Sequence, residues 1–241
     1  MKGTGRIEVL IGALLISAGI AAGGYFIGQT LYNARVAINT AAVKGLAERR
    51  VEADRAYWNI EYTVAGNDKS EVPELYARSE SDQEQIVALL TRSGFDKSEI
   101  APGVIRYEQR EFRGEDQQLV EVQYALIGSV EVETSKVQLL ASVRSRMNEL
   151  IARGLDLKNN APAYYFTKLN DIKPMMLQEA TKNARIAANE FAENAGVKVG
   201  GIRDARQGGF IIRDVGERHG DTKKLQKDVR VVTTITFYLT R

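Results

Sequence analysis

Residues Val9 to Gly28 form an unbroken run of twenty uncharged, mostly apolar residues. At about 1.5 Å of rise per helical residue the run spans roughly 30 Å, the thickness of a bilayer's hydrocarbon core. Lys2, Arg6 and the amino terminus precede it, offset by Glu8, and the next charge is Arg35. Early positive charge keeps the N-terminal stub in the cytoplasm and exports the rest of the chain. Residues 1–28 therefore read as a stub plus a single-pass transmembrane anchor, with about 210 residues outside. The rival reading is a cleavable signal peptide, with Gly19 and Ala21 at small-residue cleavage spacing and a soluble periplasmic product. Tyr25, Phe26 and Ile27 continue the apolar run past that point, and signal h-regions are nearer roughly 7 to 15 residues, which favours the retained anchor.

Within the run, Gly19 with Gly23 and Gly24 with Gly28 match the small-xxx-small spacing that lets membrane helices approach closely. These four are the candidate helix-packing residues; the general abundance of glycine in membrane helices explains the same pattern without a partner.

The net charge of +2 comes entirely from the first 39 residues, which hold three basic residues and one acidic; the remainder has 30 of each. A formally neutral domain lacks the concentrated basic face that releases counterions from phosphates, which argues against a nucleic-acid partner. About 200 residues of ordinary apolar content suffice for one large core or two small ones. The absence of cysteine excludes disulfides, thiolate metal ligands and thiol nucleophiles together.

Residues 29–41 read as a linker or continuation of the anchor helix, and the folded domain as residues 42–241. Ala56, Trp58, Ile60, Tyr62 and Val64 alternate on one strand face, whereas Val43, Gly45, Ala47, Val51 and Ala53 alternate in the opposite phase. The phase change predicts a bulge or sharp bend near Asp54. Pro73 to Ser93 reads as a helix closed by Gly94, its polar Ser79 to Gln85 stretch solvated. Val104 to Phe112 and Leu119 to Glu133 flank turn residues Arg113 to Asp116, a hairpin pattern. In the longer strand Val120, Val122, Tyr124, Leu126, Val130 and Val132 share a face.

Ser135 to Arg153 is helical in spacing and stopped by Gly154. A polar turn, Lys158 to Asn160, leads to an aromatic strand, Tyr164 to Leu169. Pro174 to Ala195 comes next as a helix whose inner stripe is Leu177, Ala180, Ala184, Ala188, Phe191 and Ala195, bounded by Gly196. Val199 to Ala205 is a short strand, Gln207 to Lys227 a Gly- and charge-rich loop, and Val229 to Leu239 an alternating final strand. This order gives an α+β fold, largely antiparallel sheet with helices packed on one face. A two-part division would fall around residues 134–160.

The chemistry-bearing residues are sparse. His219, the sole histidine, lies in the charged segment Glu217-Arg218-His219-Gly220-Asp221 and has no evident nucleophile beside it. With one histidine and no cysteine a zinc site would need mainly carboxylate ligands, which is uncommon, and no P-loop, dinucleotide fingerprint or Gly-x-Ser-x-Gly elbow occurs. Glu80, Asp82 and Glu84, and Glu115 with Asp116, read as solvated carboxylates of a helix face and a turn. Arg49, Arg50, Glu52, Asp54 and Arg55 read as charge pairing across a sheet. Lys223, Lys224 and Lys227 read as a mobile, solvated loop, or as contacts to lipid headgroups. The expectation is no enzyme, no catalytic residue, no cofactor and no metal.

The order of elements resembles the SIMPL-domain family, also called domain of unknown function 541, which includes bacterial periplasmic immunogenic proteins. Val43-Lys44-Gly45-Leu46-Ala47 running into Val51-Glu52-Ala53-Asp54-Arg55-Ala56 is similar to the family's opening Val-x-Gly-x-Gly and Val-x-Pro-Asp-x-Ala. Here Ala47 stands for the second glycine and Ala53 for the proline. Phe166 to Gly196 with Gly200, carrying alanines at 180, 184, 188 and 192, and the final strand also fit, so the resemblance covers nearly all of 42–241. It implies an exported α+β protein at the bacterial inner membrane or in the periplasm, assembling into ring-like or channel-like homo-oligomers, linked to envelope stress and without established catalytic residues. The leading expectation is thus a membrane-anchored extracytoplasmic scaffold or interaction protein, its partners the bilayer and further copies of itself. Leu119 to Glu133 and Val229 to Leu239 offer extended edges for that pairing. The alternative is an envelope enzyme or small-ligand binder with a site around Tyr164, Tyr165 and the loop after Arg206.

Overall fold

The computed structural model describes residues 4–35, 39–158 and 160–240, with side chains from residue 9 onward except 33–38 and 159. Lys2, residues 36–38 of the expected linker and Asn159 of the expected turn lie outside the described residues, as do the side chains of Arg6, Glu8 and Arg35. The elements run α1 (Thr4–Arg35), β1 (Thr40–Glu52), β2 (Arg55–Gly66), α2 (Val72–Arg92), β3 (Ile100–Pro102), β4 (Arg106–Arg113), β5 (Leu119–Thr134), α3 (Val137–Val143), α4 (Asn148–Ala152), β6 (Asp156–Lys158), β7 (Ala163–Tyr165), α5 (Leu169–Asn194), β8 (Lys198–Gln207), β9 (Ile211–Asp214) and β10 (Gln226–Thr240). The fold is α+β with antiparallel sheets. Two compact units interleave along the chain: residues 1–47, 175–209 and 231–241 form one, and 48–174 with 210–230 the other. The division therefore does not fall at 134–160, because β1, α5 and β10 each contribute to both units.

In the first unit α1 continues past Gly28 to Arg35, and its apolar stretch Val9–Tyr32 is not buried against the protein. The sheet order is β1-β10-β8. Against it lies the C-terminal part of α5, whose Ala180, Ala184, Ala188 and Ala192 recur every four residues and are buried. Their small size permits a close approach: a Cβ added at Gly45 of β1 would overlap the Ala180 carbonyl oxygen and lie 2.5 Å from the Ala184 amide nitrogen. Ala184 and Ala188 share a core with Ile235 and Phe237 of β10. The buried stripe is strictly i, i+4, so Phe191 and Ala195, expected inside, are exposed. The helix also begins five residues before Pro174, at Leu169.

In the second unit β2 pairs with β5 from Ala56↔Thr134 to Gly66↔Tyr124. On its other side β2 meets β6 and β7, while β3 and β4 lie along the far side of β5. Ala56, Trp58, Ile60 and Tyr62 share one core with Ile86, Leu89 and Leu90 of α2 and with Val137, Leu140, Val143, Met147 and Leu150. The last five recur mostly every three residues. Arg144–Met147 adopts a 3₁₀ turn between α3 and α4 where a continuous helix was expected.

The phase change near Asp54 is where β1 ends and β2 enters a different sheet. There Ala53 N–H donates to Leu225 O at 2.8 Å and Asp54 N–H to Tyr165 O at 2.9 Å. The Asp54 carboxylate accepts the Thr167 amide and hydroxyl at 2.6 and 2.7 Å, so the bend is held by side chain and backbone together. The aromatic strand expected to reach Leu169 stops at Tyr165, because Thr167 turns to cap this bend.

Strands β5 and β10 are flanked on both sides, so neither is the free edge that their length suggested. On β5, Leu126, Val130 and Val132 are buried as expected. Val120 is 72% exposed, because the hairpin with β4 extends beyond the end of β2.

Candidate functional site

The segment Gln207 to Lys227, expected as a mobile loop, contains β9 and the most deeply buried charges described. Lys227 and Asp214 are 0% and 1% exposed, with Nζ 2.5 Å from Oδ1. Lys227 also donates to Asp221 O at 2.6 Å, and the Lys223 and Lys224 amides donate to Asp214 at 2.8 and 3.1 Å. Burial pushes the Asp214 carboxyl up, but Lys227 and the two amides outweigh it and hold the group below its ordinary range. Lys224 reaches back to Val215 O at 2.8 Å and Glu217 at 3.0 Å. This polar clasp ties β9 to the start of β10 and closes the intervening turn, leaving only Lys223 and Lys224 of the three lysines at the surface.

A second buried polar group lies where α2 covers the sheet. Ser79 and Asp82, expected in solvent, are 0% and 7% exposed, since their spacing places them on the same helix face as Leu75 and Ile86. The Tyr62 hydroxyl sits beside Ser79, yet neither hydroxyl has a partner at hydrogen-bonding distance. A Cβ at Gly128 would overlap the Tyr62 ring, so glycine admits the tyrosine there. Burial raises the Asp82 carboxyl, moderated by Arg78. A raised carboxyl opposes folding above its unfolded value and ceases to do so below it. Asp82→Asn is therefore expected to raise the melting temperature at pH 7, with the gain fading as pH falls below about 4. Thermal scans at both values check this, and equal melting at pH 7 would contradict the assignment.

The opposite face of the same sheet carries Tyr57, Asn59, Glu61 and Thr63 of β2. A depression of about 480 Å³ runs between Glu61, Arg106, Arg110, Ile127, Asp156 and Lys158. Glu61 accepts from Lys158 at 2.7 Å and lies 4.0 Å from Arg106. Farther along, Tyr57, Tyr165, Arg55 and Glu133 line a second depression of about 410 Å³. Glu61, Lys158, Arg106 and Arg110 have ion-pair partners within 4.0 Å, and this surface brings together no nucleophile with an adjacent base.

The candidate residues read from sequence are dispersed. Gly19, Gly23, Gly24 and Gly28 lie on the exposed surface of α1, with no heavy atom within 4 Å of a Cβ built on each. The loop after Arg206 does reach Tyr164, whose amide donates to Thr222 O at 2.7 Å, but the Tyr164 ring is in the core while Tyr165 faces outward. His219, Glu80, Glu84, Glu115 and Asp116 are exposed. Arg50 pairs with Asp228 of β10 at 3.0 Å and Arg55 lies 3.9 Å from Glu133, both across sheet neighbours. Among the described residues no three His, Asp or Glu side chains gather as a metal-binding group. The burial of Lys227 and Asp82 was missed. For Asp82 the signal was present in its helical spacing from Leu75, Ile86 and Leu89.

Residues 41–236 match the sequence profile of the family described as "SIMPL: Protein of unknown function (DUF541)". No curated protein matches the chain.

Proposed function

We propose that this chain, which belongs to the SIMPL family of proteins of unknown function, is a membrane-anchored extracytoplasmic scaffold that assembles with copies of itself and has no enzymatic activity. The observation carrying the anchor is α1: Val9–Tyr32 is long and apolar enough to cross a bilayer, and its side chains are not buried in the protein. An apolar surface of that extent needs a bilayer or removal as a signal sequence. The scaffold reading draws support from the polar depression around Glu61, where no nucleophile stands beside a base among the described residues and Glu61 is already paired with Lys158. In this reading the helix sits in a bacterial inner membrane, the domain lies outside, copies associate into a ring-like or channel-like assembly, and the role is linked to envelope stress.

Intact-mass measurement on membrane-extracted protein is expected to give the full 26.7 kDa chain. A mature chain starting near Ala22 would replace the anchor with a soluble extracytoplasmic protein. The molar mass in detergent is expected to be a discrete multiple of the chain; a monomer at high concentration would overturn the scaffold.

A further inference from the structure

Strand β4 pairs with β5 on one side and, among the described residues, with no strand on the other. Its eight residues, Arg106–Arg113, are exposed except for the half-buried Glu108. An open strand edge presents unpaired N–H and C=O groups to another chain, and charges of one sign along it would repel a second copy. Here the signs alternate on one face: Arg106, Glu108, Arg110 and then Phe112, with Glu108 and Arg110 3.2 Å apart.

Two copies related by a two-fold axis perpendicular to the sheet pair antiparallel, and their faces stay aligned only when the axis passes through a residue. Centred on Glu108, the pairing sets glutamate against glutamate and Arg106 against the partner subunit's Arg110. Centred on Arg110, it sets arginine against arginine. Centred on Gln109, it sets Glu108 opposite the partner subunit's Arg110 and Arg110 opposite the partner subunit's Glu108. Each Glu108 then has Arg110 beside it on its own strand and the partner subunit's Arg110 across from it. Arg106 falls opposite the partner subunit's Phe112, whose ring face suits a guanidinium. This register spans seven of the eight strand residues. Centring on Tyr107 or on Phe112 also matches charges but engages only three residues in each case. Like charges directly opposite destabilise an antiparallel pair and opposite charges stabilise it, so the pattern selects one register.

We propose that β4 is the edge through which a second copy of this chain continues the sheet, antiparallel and two-fold symmetric about Gln109. Such a contact closes as a pair rather than a ring, so it names the contact for the self-association proposed above, and rests on that reading, in its simplest two-fold form. The chain has no cysteine, so one engineered thiol reports alone. Directly opposed antiparallel residues have Cα atoms about 4.5–5.5 Å apart, within disulfide reach. In full-length protein in membranes, Gln109→Cys is expected to form a linked dimer on mild oxidation or with a short thiol cross-linker, and Arg106→Cys is not. A mixture of Arg106→Cys and Phe112→Cys chains is expected to cross-link. In the Gln109→Cys background, Glu108→Arg and Arg110→Glu are each expected to lower the linked fraction several-fold, and their combination to restore it. A multimer by molar mass without the Gln109→Cys link, or without rescue by the double reversal, overturns this edge and leaves self-assembly standing. A monomer overturns both.

Discussion

Adding one methyl group at Gly45 is expected to unfold the first unit or to cost it about 3 kcal/mol or more. A Cβ there meets backbone, the Ala180 carbonyl and the Ala184 amide, so no flexible side chain can move aside. Relief requires shifting β1 or α5, and either shift opens the contact along the whole alanine stripe, whose members are between 0% and 2% exposed. Ala184→Glu attacks the same contact from the helix side. It overpacks the site and buries a carboxylate without a partner, adding a desolvation cost to the steric one. Asn189→Glu, between Ala188 and Ala192 in sequence but exposed, is expected to melt as wild type does. Urea or thermal denaturation of the three full-length variants in detergent separates these outcomes. Equal stability of Ala184→Glu and Asn189→Glu would mean that α5 turns a different face to the sheet.

What was legible in the chain is what short-range periodicity encodes. The alternation of Ala56 to Val64 and of Val229 to Leu239 marks strands because a pleated strand with one covered face repeats every two residues. The reversal of phase at Asp54 marks the change of sheet for the same reason, since a one-residue slip sends every subsequent side chain to the other face. Alanines at 180, 184 and 188 mark a close helix contact, and the partner that requires it, Gly45, stands more than a hundred residues away. Periodicity failed where burial depends on a distant partner. Val120 has the pattern of a core residue, yet β2 ends before reaching it and leaves it exposed. Lys227 has the composition of a loop, yet Asp214, thirteen residues earlier, makes its burial tolerable. Asp82 fell between these cases: its spacing pointed inward and its charge pointed outward, and the helix face prevailed, at the cost of a raised carboxyl.

Removing one member of the Asp214–Lys227 pair is expected to destabilise the second unit by about 3–5 kcal/mol, because the survivor remains charged and without surface exposure. Lys227→Met leaves Asp214 with the amides of Lys223 and Lys224 alone. Asp214→Leu leaves the ammonium with the Asp221 carbonyl and orphans those two amides. The double variant removes both charges, so it is expected to be less destabilised than the sum of the single losses by more than about 1 kcal/mol, the signature of coupled neighbours. Acid should expose the same clasp. The Asp214 carboxyl is held below its unfolded value, so its contribution is complete above that value and is lost as pH falls through the folded one. Wild-type stability should therefore drop below about pH 4 by more than that of the Asp214→Leu/Lys227→Met variant, which lacks the titrating group. Urea titrations of the four proteins at pH 7 and at pH 3 give both comparisons. Additive losses at pH 7 with parallel acid profiles would show that the two side chains do not support each other, and that β9 is held to β10 by its backbone ladder alone.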